Sequence, residues 1–235
     1  MRRTDSTNAR ARELAEAGAP GGLVVTADEQ DSGRGRRGRS WFAPPQGSLL
    51  YSALLRPLGE RPLLPLAVPL AVCEAAESLA AVECSVKWPN DVWVSERKLA
   101  GVLIETRFEP RGGGWAVIGV GLNLAIAAEQ FPEELRATAT SLALASGAEG
   151  PSPGEARAAL DRELGHWLEA PLERVLAGFG RRDALAGRRI SWEGGAGTAA
   201  GVDDSGHLLV ELEGGGRRAL GAGEVHLSIT HSTTS

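Results

Sequence analysis

A chain of 235 residues is longer than the usual single domain, which leaves room for one large core and a small satellite unit. Apolar residues make up 43% and charged residues 23%, an ordinary globular balance that excludes a disordered or fibrous protein. The net charge of −5 excludes bulk electrostatic attraction to nucleic acid or anionic membrane, so any basic cluster has to be judged locally.

The opening MRRTDSTNAR has no apolar stretch behind its arginines, and no segment approaches the ~20 apolar residues that span a bilayer. A cytoplasmic location without membrane contact is expected. A short helix is predicted from near Thr7 to residue 19, with Asp5 or Ser6 as N-cap and Gly18, Pro20 and Gly21 as its stop. Residues 23–27 read as a strand. Residues 28–46 are polar and glycine-rich, long for a loop in a compact domain, and such loops are usually functional or disordered.

Residues 48–55 have a β flavour, and residues 63–82 repeat apolar side chains at helical spacing through Leu66, Leu70, Cys73, Ala76 and Leu79. Strand segments follow at 85–88 with 91–94, at 99–106 and at 115–121, so a mixed α+β core with antiparallel hairpins is expected. Trp88, Trp93 and Trp115 read as core or sheet-face residues. Cys73 and Cys84 fall on apolar segments, where a lone cysteine acts as a small hydrophobe, and no disulfide or metal role is expected of them. Residues 145–154 read as a linker and 155–176 as one helix with an interruption at Pro171. Beyond Arg188, short strands at 190–193, 198–202, 208–212, 217–220 and 225–229 are parted by Gly- and Asp-rich turns, the pattern of a small barrel. A boundary near Leu185 divides residues 1–184 from 185–235.

Gly33-Arg34-Gly35-Arg36-Arg37-Gly38-Arg39 packs four guanidinium groups and three glycines into seven residues of an acidic protein. Glycine lets the backbone approach an anion closely, and each arginine offers a planar fork of donors that matches phosphate oxygens. Taken alone, the loop supports a phosphate cradle and a solvated or nucleic-acid-binding patch about equally. The chain has no GxxxxGK[ST] phosphate loop and no HExxH, but other clusters follow. Lys87-Trp88-Pro89-Asn90-Asp91 turns one strand into the next, and Lys98 opens the apolar run Leu99 to Glu105, where its ammonium would point into a cleft bordering the sheet. His166, His207, His226 and His231 fall in no constellation.

The order Asp5-Ser6-Thr7-Asn8, Gln30 with GRGRRGRSW, KWPND, KLAGVLIE and GVGLN at Gly119 to Asn123 resembles the bacterial biotin protein ligases along nearly the whole chain. The resemblance implies the biotin–lipoate ligase catalytic fold, which is like that of class II aminoacyl-tRNA synthetases, with a C-terminal SH3-like barrel around Ala222-Gly223-Glu224-Val225. It implies joining biotin to ATP as biotinyl-5′-adenylate, then passing the biotinyl group to a lysine of a biotin carboxyl carrier domain.

By the same resemblance, Ser6, Thr7, Asn8 and Gln30 would read the ureido ring, since hydroxyls and amides both donate and accept. Ser6 to Asn8 can also cap the first helix. Gly33, Arg34, Gly35 and Arg36 would hold the biotin carboxylate and the α-phosphate, while Arg37 and Arg39 would face the departing pyrophosphate. Lys98 would sit between carboxylate and phosphate, and it and Arg34 are the catalytic candidates. A preorganised donor at such a centre contributes ~3–4 kcal/mol, about 10²–10³ in rate. Trp41, Asn90 and Asn123 would contact the adenosine half, and Asp91 would carry a magnesium ion accompanying the phosphates. Residues 28–41 would order over the adenylate and exclude water.

Only five residues precede Ser6, so no helix-turn-helix and no DNA binding are expected, and the first strand is cut to a stub. Leu227 is followed by Ser228 where the family often has an arginine, so the resemblance does not carry an ATP contact over to the barrel. A monomer or weak homodimer is expected. The rival readings are a lipoate or octanoate ligase, which needs an apolar tunnel in place of the polar set, and a basic-loop nucleic-acid-binding protein, which needs more stacking aromatics than Trp41 and Phe42.

Overall fold

A computed structural model of the chain describes residues 1–109 and 113–222, together with the backbone of Ser228 and Ile229. The order is β1 (Arg3–Thr4), α1 (Thr7–Glu16), β2 (Val24–Ala27), β3 (Glu29–Gln30), β4 (Ser48–Leu55), α2 (Leu64–Leu79), β5 (Ser85–Lys87), β6 (Asp91–Val94), β7 (Arg97–Glu109) and β8 (Gly113–Asn123). Then come α3 (Leu142–Ser146), α4 (Pro153–Leu168), α5 (Leu172–Arg182), β9 (Arg189–Trp192), β10 (Gly195–Val202), β11 (Leu208–Leu212), β12 (Arg217–Leu220) and β13 (Ser228–Ile229).

Six strands form one antiparallel sheet in the order β2-β4-β8-β7-β6-β5. The expected α+β class with antiparallel hairpins is borne out. Alternation along the strands sorts the side chains. Ala116, Ile118, Val120 and Leu122 join Val102, Val92 and Val86 in the core covered by α2, α4 and α5. Trp115 and Val117 face the other way, against Ala11 and Ala15 of α1. Trp88 and Trp115 are buried core residues, as expected, and Cys73 and Cys84 are buried and unlinked.

The second sheet, β12-β11-β10-β9-β13, is antiparallel and stands where a small barrel is expected. Its Ile190, Trp192, Leu208 and Val210 belong to the same apolar cluster as Leu66 and Leu70 of α2, with Leu185 fully buried at the crossing. The expected strand at 225–229 lies within the described residues only at Ser228 and Ile229. The Ser228 side chain, Glu224, Val225 and His231 lie outside them.

One expected helix is two. The break falls at Pro171, which caps α5, because proline supplies no N–H for a continuing helix. The helix also begins earlier than expected, since Ser152 and Glu155 form a reciprocal cap around Pro153 in the first turn. The short α3 occupies part of the expected linker, capped by Ser141 and ended by Gly147 in the left-handed region. Gly178 lets α5 close on α4, since a side chain there would meet the Trp167 ring at 2.6 Å. No helix among the described residues is long and apolar enough to cross a membrane.

Candidate active site

The face of the large sheet turned away from α2 is floored by glycine. Gly101 of β7 pairs with Gly121 of β8, and Leu103 with Gly119. Gly121 and Gly119 pair on their other side with Leu50 and Ser52 of β4. Because residues two apart share a face, Asp91, Trp93, Gly101, Leu103, Gly119, Gly121 and Asn123 all line one cleft of about 540 Å³.

One end of the cleft is a hydrogen-bonded polar set. Gln30 Oε1 accepts from Thr7 N at 2.7 Å and from Thr7 Oγ1 at 3.0 Å. The Ser52 hydroxyl lies 2.8 Å from Thr7 Oγ1 and 2.6 Å from Asn8 Oδ1. Asn8 Nδ2 donates to the Leu103 carbonyl at 3.3 Å and to Glu105 at 3.0 Å. Ser6 does cap α1, with Oγ 3.4 Å from Ala9 N. Ser6, Thr7, Asn8 and Gln30 all reach the cleft wall.

The other end is cationic. Among the described residues, Arg34, Arg36, Arg39, Lys87, Lys98 and Arg188 line it against two carboxylates, Asp91 and Glu96. The basic loop folds as a small hairpin: Trp41 N donates to the Gly33 carbonyl at 2.9 Å, Gly35 N to Arg39 O at 2.7 Å, and Arg34 bridges Ser40. Arg37 and Gly38 turn it through the left-handed region, at φ 57° and 73°. Arg36 donates to Asn90 Oδ1 at 3.2 Å and to the Ala222 carbonyl beside the second sheet. Burial pulls the Arg36 and Lys87 pKa values down. A desolvated cation with too little counter-charge is a favourable place for an anion.

Lys98 Nζ sits 2.6 Å from Asp91 Oδ1 and 5.6 Å from the centroid of the Trp41 ring. The Trp41 indole lies flat on the glycine floor: a side chain at Gly121 would meet it at 2.4 Å and one at Gly101 at 3.0 Å. Its Nε1 is buried with no partner among the described residues, a donor that a ligand acceptor could satisfy. Beyond it, Phe42 and Phe131 pack with centroids 6.1 Å apart beside Leu135 and Ala139, forming an apolar corner.

A model of the biotin/lipoate A/B protein ligase family matches residues 1–123, more than half of the chain. The chain belongs to the biotin/lipoate A/B protein ligase family. It is 36% identical to the biotin–acetyl-CoA-carboxylase ligase of Mycobacterium tuberculosis, over 94% of this chain and 85% of that one. It is 32% identical to the bifunctional ligase/repressor BirA of Bacillus spizizenii, over 89% of this chain and 68% of that one. Among solved structures, the biotin protein ligase of Aquifex aeolicus in complex with biotin and ATP matches with a TM-score of 0.83 and 29% identity, covering 98% of this chain and 97% of that one. The resemblance read from the motif order is borne out.

Within this ligase-family cleft, the residues named from sequence divide. Gly35, Arg34, Arg36, Arg39, Trp41, Asn90, Asp91, Lys98 and Asn123 line it, whereas Gly33 and Arg37 stand outside its wall. Gly33 packs under the loop, where a side chain would meet the Trp41 carbonyl at 2.8 Å. Asn90 and Asn123 use both ends of their amides on the protein. Asn90 donates to the Val102 carbonyl and accepts from Arg36; Asn123 donates to the Thr140 carbonyl and accepts from Ser48. Lys87, Trp93, Arg188 and the Phe131–Ala139 corner also line the cleft without having been read as site residues, Trp93 being one of the expected core or sheet-face tryptophans, and Ser52 stands behind the wall. Ser52 was hidden inside an apolar run, and only its place opposite Gly119 brings it to the ligand side.

Proposed function

We propose that the chain is a biotin protein ligase, which activates biotin with ATP and transfers the biotinyl group to one lysine of a biotin carboxyl carrier domain. The observation that carries this is the cleft's two-ended chemistry. An amide and hydroxyl set fits a ureido ring, and six basic side chains within an acidic protein fit a carboxylate and a triphosphate. The relatives' names support it, as does the likeness to a ligase solved with biotin and ATP.

In the first step the biotin carboxylate attacks the α-phosphorus and pyrophosphate leaves. Two anions must meet, so Arg34, Arg36 and Lys98 neutralise the charge gathering on carboxylate and phosphate, and Arg39 faces the departing pyrophosphate, while Arg37, outside the cleft wall, does not share that role. Trp41 and the Phe42–Phe131 corner receive the adenosine, with Asn90 and Asn123 shaping that end. Magnesium arrives with ATP as part of the substrate. Asp91 suits it as a single oxygen donor on the cleft wall, because Mg²⁺ takes few protein ligands beside phosphate oxygens, and the ion would add charge neutralisation there. In the second step the carrier lysine attacks the biotinyl carbonyl and AMP leaves. The loop carrying the arginines covers the adenylate against water. Residues 1–184 supply the chemistry, residues 185–235 brace the loop through Arg36, and the setting is the cytoplasm.

The test is incubation of the chain with biotin, ATP and a carboxyl carrier domain, read by mass spectrometry. Biotin on one lysine is expected. Lipoate or octanoate accepted in preference would favour the rival ligase and overturn the assignment.

A further inference from the structure

Glu105 stands behind the cleft wall on β7, with Oε2 accepting from Asn8 and Oε1 3.3 Å from the Arg12 guanidinium. The Leu103 carbonyl takes the same Asn8 nitrogen. A carboxylate and a carbonyl can only accept, so Asn8 is fixed with its nitrogen toward the sheet and its oxygen toward Ser52. Gly119 makes this seat possible, since any side chain there would meet Asn8 Oδ1 at 2.0 Å.

From that point each hydrogen bond constrains the next. Ser52 has one proton, and its shortest contact, 2.6 Å, commits that proton to Asn8 Oδ1. The single Thr7 hydroxyl proton is then shared between the two acceptors beside it, Ser52 Oγ at 2.8 Å and Gln30 Oε1 at 3.0 Å. Gln30 Oε1 is filled from the Thr7 amide as well, so the group Gln30 has left for a ligand is its NH₂. We infer that Glu105 is a positioning residue for biotin: through Asn8, Ser52 and Thr7 it holds Gln30 as a hydrogen-bond donor toward the ureido carbonyl. This rests on biotin being the substrate. The competing role, a clip that merely ties α1 to the sheet, would run through Arg12 instead.

The probe is 2-iminobiotin, in which the ureido C=O acceptor is replaced by C=NH. The measurement is the ratio of kcat/KM for biotin to that for the analogue in one enzyme preparation, which does not depend on the fraction folded. Glu105→Ala should shrink this ratio about tenfold and raise KM for biotin, with KM for ATP within about twofold of wild type. Glu105→Gln, which keeps an acceptor oxygen for Asn8, should recover most of both. Arg12→Ala breaks the clip but spares the relay, and should leave the ratio unchanged. An unchanged ratio in Glu105→Ala, or an equal fall in Arg12→Ala, overturns the inference. A wild-type enzyme that uses neither compound overturns the assignment of biotin itself, and the inference with it.

Discussion

The ammonium of Lys98 rests 2.6 Å from the Asp91 carboxylate, across the β6–β7 hairpin and beside the Trp41 ring. Three separated sequence motifs thus meet at one cation. On the proposed mechanism Asp91 acts by orienting Lys98 and not on the reacting carboxylate itself, so Asp91→Asn should lower biotin-dependent pyrophosphate exchange about tenfold, against about 10²–10³ for Lys98→Ala. The same variant should need more magnesium for its half-maximal rate. A loss equal to that of Lys98→Ala, with an unmoved magnesium curve, would contradict both roles.

The glycine floor is a steric requirement. Gly119→Ala would drive a methyl into Asn8, and Gly121→Ala into the Trp41 ring. Overpacking of this kind costs ~1–3 kcal/mol. Each variant should melt a few degrees lower, at roughly 2–4 °C per kcal/mol for a chain of this size. They should part in kinetics, Gly119→Ala raising KM for biotin and Gly121→Ala raising KM for ATP. Identical kinetic profiles would mean that the two ends are not distinct.

Burial holds the Lys87 ammonium below its ordinary pKa, with Asp91 pulling the other way and Lys98 and Arg39 adding to the depression. The charge is therefore lost at a lower pH than for an exposed lysine, and on the proposed reading a bound phosphate would favour it. KM for ATP should rise with pH earlier in the alkaline range than an ordinary lysine would dictate. Lys87→Arg, which stays charged, should move that limb upward. Superimposable pH profiles for the two enzymes would remove Lys87 from the phosphate end.

Asp183 ends α5, with Oδ1 accepting from Leu185 N at 2.8 Å and Oδ2 buried without a partner among the described residues. Burial raises its pKa above the ordinary 3.8. Its folded form holds a proton more tightly than the unfolded chain, so its favourable contribution is full below 3.8 and fades as pH rises through the raised value. Asp183→Asn cannot titrate, so its stability relative to wild type should grow as pH rises across that window. Denaturant melts at several pH values check this; parallel stability curves would refute it.

Much of this was legible because strand alternation is strict. Once KLAGVLIE and GVGLN are strands, Gly101, Leu103 and Glu105 must share one face, as must Gly119 and Gly121. Lys98, three residues before Gly101, reaches the cleft only because the β6–β7 register shifts between Val92 and Trp93, which alternation alone does not give. Helix α1 was legible from its cap residues and its glycine stop. Ser52 and Glu105 were not, because their importance arises from the register of β4 and β7 against neighbours distant in sequence. The Phe131–Ala139 corner lies in an irregular segment with no period to read. The break at Pro171 was visible as a residue, but whether it kinks or divides a helix is decided by how α5 packs on Trp167 and α2.

One cleft has to hold biotin and ATP together for the account to stand. Isotope exchange between pyrophosphate and ATP, measured with and without biotin in the wild-type chain and in Lys98→Ala, tests this directly. Exchange that requires biotin and falls about 10²–10³ in the variant is the predicted result. Exchange without biotin, or an unaffected Lys98→Ala enzyme, would contradict it.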